Sequence, residues 1–141
     1  MSTRSMIALA NQDGTVRAVY CHSDGYPEYN GRLLNEYWTE AVDVSELIDQ
    51  GDMSSLGATL STCKFYARGC DEPVEQTRAI EYANYEDLMM NIGDDIEYVY
   101  AMLRTGKWAM ADIRGGKARA LSDVMAELNR AELNRAELRL V

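Results

Sequence analysis

Residues 5–34 read SMIALANQDGTVRAVYCHSDGYPEYNGRLL. Met6 to Ala10 is an unbroken apolar run of strand length. Val16 to Cys21 alternates instead, with Val16, Ala18 and Tyr20 on one face and Arg17, Val19 and Cys21 on the other. Between them, Asn11-Gln-Asp-Gly14 carries the Asp-Gly pair that closes tight hairpins. Two strands joined this way start an antiparallel sheet. Ser23-Asp24-Gly25 then turns the chain, and Pro27 fixes one backbone angle. From about Asn30 to Trp38, the spacing of Leu33, Leu34, Tyr37 and Trp38 places them on one helical face. Tyr20–Leu34 is therefore the corner between hairpin and helix, and Tyr20, His22, Gly25 and Pro27 are its expected structural residues.

The chain beyond the corner repeats these signals. Asp43-Val-Ser-Glu46 has the shape of a capping box and predicts a helix over 43–50, closed by a left-handed Gly51. Met53–Gly57 reads as an irregular turn, Thr59–Ala67 as a strand, and Gly69–Glu75, with Pro73, as a polar loop. Thr77–Tyr82 fits strand and helix equally. Asn84 is suited to cap a short helix that Gly93 closes. Ile96–Leu103 and Lys107–Ile113 form a second hairpin around Arg104-Thr-Gly106. After Arg114-Gly-Gly116, a helix opens at Ala118 or Ser122 and runs nearly to the last residue. The expected fold is α+β: a mainly antiparallel sheet of two β-hairpins plus one strand, helices packed on one face, and a long C-terminal helix.

Residues 1–125 read as a single domain and residues 126–141 as a helical extension built on AELNR, AELNR and AELRL. A five-residue period turns each leucine by about 140° relative to the last. The apolar stripe of Leu121, Val124, Met125 and Leu128 therefore dissolves, and the chain beyond about residue 130 is expected to project from the body.

The 141 residues carry a net charge of −9, unevenly spread. Residues 21–100 hold 17 acidic and 4 basic side chains. Such a block disfavours direct binding to nucleic-acid phosphates, which depends on Lys and Arg displacing counterions. It favours a partner with a basic surface. No apolar run approaches the ~20 residues that span a bilayer, and the first residues lack a secretory apolar segment. The expectation is a cytoplasmic protein with no membrane partner. Cys21, Cys63 and Cys70 are odd in number and contain no Cys-x-x-Cys pair, so free thiols are expected.

Chemistry-bearing constellations are sparse. Cys21 and His22 are adjacent at a strand end and point to opposite faces, a poor arrangement for a thiolate and its base. His22 and Asp24 are two apart and would share a face on extended chain, as a bond holding the turn or as an acid–base pair. Cys21, His22, Cys63 and Cys70 lack zinc-site spacing, and no calcium loop or phosphate-binding glycine motif is present. Arg114-Gly-Gly-Lys117 before a helix is a weak anion signal. No catalytic residue, metal or cofactor is expected.

The opening Ser2-Thr-Arg-Ser5, the Asp13-Gly-Thr15 turn, Tyr20-Cys-His-Ser-Asp-Gly-Tyr-Pro27 and Gly51-Asp-Met-Ser-Ser-Leu56 together resemble a family of small uncharacterised proteins. These are encoded largely by bacteriophages and integrated prophages. The match is close over 2–56 and looser over 60–113, where Glu97-Tyr-Val-Tyr100 and Gly106-Lys-Trp108 carry it. Ser23 stands where that family often has an aromatic residue. The resemblance implies a small phage protein acting on a host machine, the class that includes anti-CRISPR and other anti-defence inhibitors.

The leading expectation is thus a non-enzymatic acidic protein that binds and inhibits a host nucleic-acid-handling defence complex in the bacterial cytoplasm. Its expected contact residues are Asp24, Tyr26, Glu28, Glu36, Glu40, Asp94 and Asp95. Tyrosines amid carboxylates suit a Lys/Arg-rich partner. The alternatives are a binder or sponge of a nucleotide signal, with a pocket at Tyr20, His22, Tyr26 and Arg32, and a homo-oligomer assembled through the C-terminal helix.

Overall fold

The computed structural model describes residues 2–67, 77–115 and 117–139, with side chains to Glu137. The expected loop over 69–75, with Cys70 and Pro73, lies outside these residues.

The first hairpin forms as its alternation dictates. β1 (Arg4–Ala10) and β2 (Val16–Cys21) pair antiparallel, with Ser5 opposite Cys21 and Ala10 opposite Val16. The Asp13 carboxylate accepts bonds from the Thr15 amide (3.0 Å) and hydroxyl (2.5 Å), which hold it below the usual carboxylate range. The second hairpin joins β6 (Ile96–Met102) to β7 (Trp108–Asp112). β1 runs parallel to β6, which puts β1 at the centre of the sheet and explains why its run is apolar on both faces.

Four short strands complete an eight-stranded sheet among the described residues: β3 (Met53–Ser55), β4 (Lys64–Phe65), β5 (Ile80–Tyr82) and β8 (Ala118–Ala120). The order is β4-β3-β2-β1-β6-β7-β8, and β5 pairs with the other half of the β2 edge that β3 uses. Several local expectations change here. Met53–Ser55 is a strand parallel to β2 rather than an irregular turn; three residues are too few to display alternation. The strand expected over 59–67 shrinks to Lys64–Phe65, because Thr59 and Thr62 cap each other around a 3₁₀ turn at Leu60–Thr62. Ala118–Ala120 pairs with β7 before the last helix begins.

Four helices flank the sheet among the described residues: α1 (Arg32–Tyr37), α2 (Ala41–Asp49), α3 (Tyr85–Asn91) and α4 (Leu121–Arg139). A wide five-residue helical turn over Pro27–Gly31 leads directly into α1. α2 starts two residues earlier than the Asp43 box implies, after extended Glu40, so Asp43 lies within its first turn. There its charge favours the helix N-terminus without capping it. Gly51 ends the segment at φ +90°, as expected. Asn84 caps α3, its side-chain oxygen accepting from the Asp87 amide at 2.8 Å.

The two faces of the sheet are covered unequally. Ile7, Leu9, Val19, Cys21, Tyr100 and Met102 pack beneath Leu34, Val44, Leu47, Ile48, Leu121 and Val124 of α1, α2 and α4. Full burial of each large apolar side chain contributes about 1.5–3 kcal/mol. The expectation of helices on one face holds for these three. α3 is the exception: its Leu88 packs on the opposite face over Met6, Ala8 and Ala18. On α4, Leu121, Val124 and Met125 are buried and Leu128 is half-buried, while residues 129–137 are exposed.

Candidate functional site

The corner after β2 is built by bonds that reach far along the chain. The His22 and Ser23 amides donate to the Met53 and Ser54 carbonyls, each at 3.0 Å, extending the β2–β3 pairing beyond Cys21. Asp24 then takes φ +58°, a left-handed angle that Asp tolerates better than most residues. Gly25 lies against β1: its amide donates to the Thr3 carbonyl at 2.8 Å, and its carbonyl accepts from the Tyr100 hydroxyl at 2.6 Å. A Cβ here would come within 2.8 Å of both Ser5 Cβ and the Thr3 carbonyl oxygen, so only glycine fits without movement. Buried Asn30 closes the loop, donating from its amide to Asp24 O (3.1 Å) and from its side chain to Ser23 O (3.1 Å). Gly31 packs 3.3 Å (at an added Cβ) from Met125 of α4, which seats the corner on the last helix.

This scaffold turns two tyrosines outward. Tyr26 is 37% exposed and Tyr29 44%, their rings 6.4 Å apart and tilted. The Tyr26 phenol is pushed up by partial burial and then by the Asp24 carboxylate beside it. Glu28 is exposed between the two tyrosines. The adjoining sheet end adds Tyr98 with Arg114, whose guanidinium lies 5.9 Å over the ring and 3.4 Å from Asp112. Burial first, then Asp112, pushes the Tyr98 phenol up.

The seven expected contact residues do not form one surface. Asp24, Tyr26 and Glu28 share the corner, and Asp94 and Asp95 precede β6 at the same end of the sheet, Asp95 paired with Arg4 at 2.9 Å. Glu36 and Glu40 flank Trp38, whose carbonyl accepts from the Trp108 indole at 2.7 Å. Trp108 sits opposite Met102, the last residue of β6. That is the far end of the strand, about 20 Å from its start. The charge run in the sequence therefore splits between two ends of the molecule. Tyr29, Asn30 and Tyr100 complete the corner. Tyr29 stands out as a second turn tyrosine, but nothing local signals that Tyr100, 75 residues away, bonds Gly25.

The other constellations separate. Cys21 is fully buried, and burial pushes its thiol up to about 12, so it is no thiolate at neutral pH. The left-handed Asp24 breaks the extended geometry that would align it with His22. His22 Nδ1 instead meets the Tyr20 hydroxyl at 2.7 Å. Tyr20 and His22 face away from Cys21, whereas Arg32 lies across the sheet, bonded to Asn129 (2.8 Å) and Glu132 (2.5 Å) of α4. A ligand pocket joining Tyr20 and His22 to Arg32 is excluded by this geometry. Among the described residues, no group of three or more His, Cys, Asp or Glu could hold a metal ion.

Comparison with protein-family models, with curated proteins and with solved structures finds nothing that matches this chain. Among the described residues, no helix is long and apolar enough to cross a membrane.

Proposed function

We propose that this chain is a non-enzymatic, phage-type binding protein that uses its corner against a basic surface of a host nucleic-acid-handling complex and thereby blocks a defence system in the bacterial cytoplasm. The observation that carries this reading is the exposed Tyr26–Tyr29 pair, flanked by Asp24 and Glu28 and held on an over-determined backbone. Rigid aromatic anchors lose little conformational freedom on binding and accept Arg and Lys over their faces. The carboxylates beside them favour encounter with a basic groove over an acidic one. The resemblance of residues 2–56 to phage-encoded proteins supports the setting.

The test is plaquing efficiency on bacteria carrying a CRISPR or restriction system, with this protein expressed in the host. Expression is expected to restore plaquing against at least one system, and the double variant Tyr26→Ala/Tyr29→Ala to lose that effect while melting normally. Unchanged restriction across such a panel, with no host nucleic-acid-binding complex co-purifying, would end the proposal.

A further inference from the structure

β8 ends the sheet among the described residues, and the register shows which of its backbone groups face outward. Leu103 donates to the Lys107 carbonyl at 2.8 Å and Ile113 to the Glu97 carbonyl at 2.9 Å. The bonded pairs between β6 and β7 therefore include Val99–Ala111 and Ala101–Ala109. Ala109 and Ala111 turn their amides to β6, and Met110 turns its amide to β8. Met110 lies opposite Arg119, so Arg119 bonds inward while Ala118 and Ala120 point their N–H groups away from the sheet. Neither amide, nor the Ala118 carbonyl, meets a partner among the described residues. All three residues of β8 are exposed.

The side chains beside this edge fit one kind of occupant. On the α3 face, Ala118 and Ala120 join Ala109 in the floor of an open groove of about 530 Å³, walled by Tyr85 and Leu103. Such a floor leaves room for larger apolar side chains from an added strand. The charged lining of the groove is basic, Lys107 and Arg119. Residues 103–120 hold five basic side chains and one acidic, in a protein of net charge −9. Lys117 directly precedes Ala118, and Lys107 lies two residues before Ala109, the partner of Ala120. Neither lysine takes part in an ion pair among the described residues. Arg119 bonds Glu127 of α4 through one nitrogen at 2.7 Å, and Asp123 also attracts it, so the two lysines carry the positive sign of the edge. Cations guard an edge against a second copy, since antiparallel pairing of two β8 strands about Arg119 sets arginine against arginine. The same cations select a strand of opposite sign.

We propose that the outer edge of β8 binds an extended acidic peptide as an additional antiparallel strand. Its residues opposite Ala118 and Ala120 are apolar and lie over the alanine groove. Its carboxylates alternate with them, opposite Arg119 and Lys117. None of these residues belongs to the corner, so the inference stands apart from the function proposed above.

The test is fluorescence anisotropy of a labelled Glu-Val-Glu-Val-Glu peptide titrated with the full chain. Saturable binding that salt weakens is expected. Ala118→Pro removes an outward N–H at an edge position that accepts proline, leaves the β7 ladder intact, and should weaken binding about tenfold at an unchanged melting temperature. The exposed double variant Lys107→Glu/Lys117→Glu should weaken it by about tenfold or more. Both valine amides face β8 in this pairing, so N-methylating them should abolish binding, an arm that leaves the protein itself unaltered. Absence of binding up to about 1 mM protein overturns the proposal. So does equal binding of Lys-Val-Lys-Val-Lys, or binding that survives the methylation. Tyr26→Ala/Tyr29→Ala should bind the peptide normally; loss of binding there would place the peptide at the corner and overturn the assignment to β8.

Discussion

The corner over residues 22–31 and the far half of α4 invert the usual link between regularity and order. The corner has no regular repeat until Pro27, yet it is tied to distant parts of the chain, His22 and Ser23 to Met53 and Ser54 and Gly25 to Thr3 and Tyr100, and is closed on itself by Asn30 bonding back to Asp24. Distal α4 is regular helix to Arg139, yet from residue 129 its described side chains are exposed, and among the described residues Arg32 ties it to the body. What fixes a segment is the number of long-range bonds that must break for it to move, not its local periodicity. A contact surface built on the corner is therefore ready before a partner arrives, which lowers the cost of binding.

The contrast can be broken most sharply at Gly25. Gly25→Ala forces a Cβ into Ser5 and the Thr3 carbonyl, and is expected to destabilise the fold by about 3 kcal/mol in urea denaturation. Next in size is alkaline pH. Burial raises the Cys21 thiol from 9.0 to about 12, so its contribution is full below the unfolded value and is lost as pH rises toward the folded one. Stability should fall by ~2 kcal/mol between about pH 9 and about pH 10.5, with Tyr100, pushed up likewise by burial, adding to the loss. Cys21→Ser should flatten the thiol's share of that slope in urea titrations repeated across pH. Tyr100→Phe leaves the Gly25 carbonyl without its donor and should cost about 1.5 kcal/mol, read as a lowered denaturation midpoint. Arg32→Ala is the smallest effect. Its ion pair with Glu132 is partly exposed, so global stability should drop by less than about 1 kcal/mol while helical circular dichroism from distal α4 declines.

Both hairpins, the α+β class and the Gly51 and Asn84 helix ends were legible because each is written in local spacing or turn chemistry. β3 and β8 were not, since three-residue strands exist only through their neighbours, and β4 was legible only as part of a longer strand expected over 59–67. The site was half legible. Tyr26, Asp24 and Glu28 could be placed on a turn, but grouping them with Glu36 and Glu40 treated neighbours in sequence as neighbours in space. The short helix α1 and the turn after it carry Glu36 and Glu40 to the other end of the sheet. His22 was paired with Asp24 on the assumption of extended backbone, which the left-handed Asp24 removes.

Native-state hydrogen exchange tests the central claim most directly. The Gly25 and Asn30 amides should exchange only through openings close in free energy to global unfolding, while α4 amides beyond residue 130 exchange orders of magnitude faster. Fast exchange at Gly25 and Asn30, at rates matching distal α4, would contradict a preformed corner.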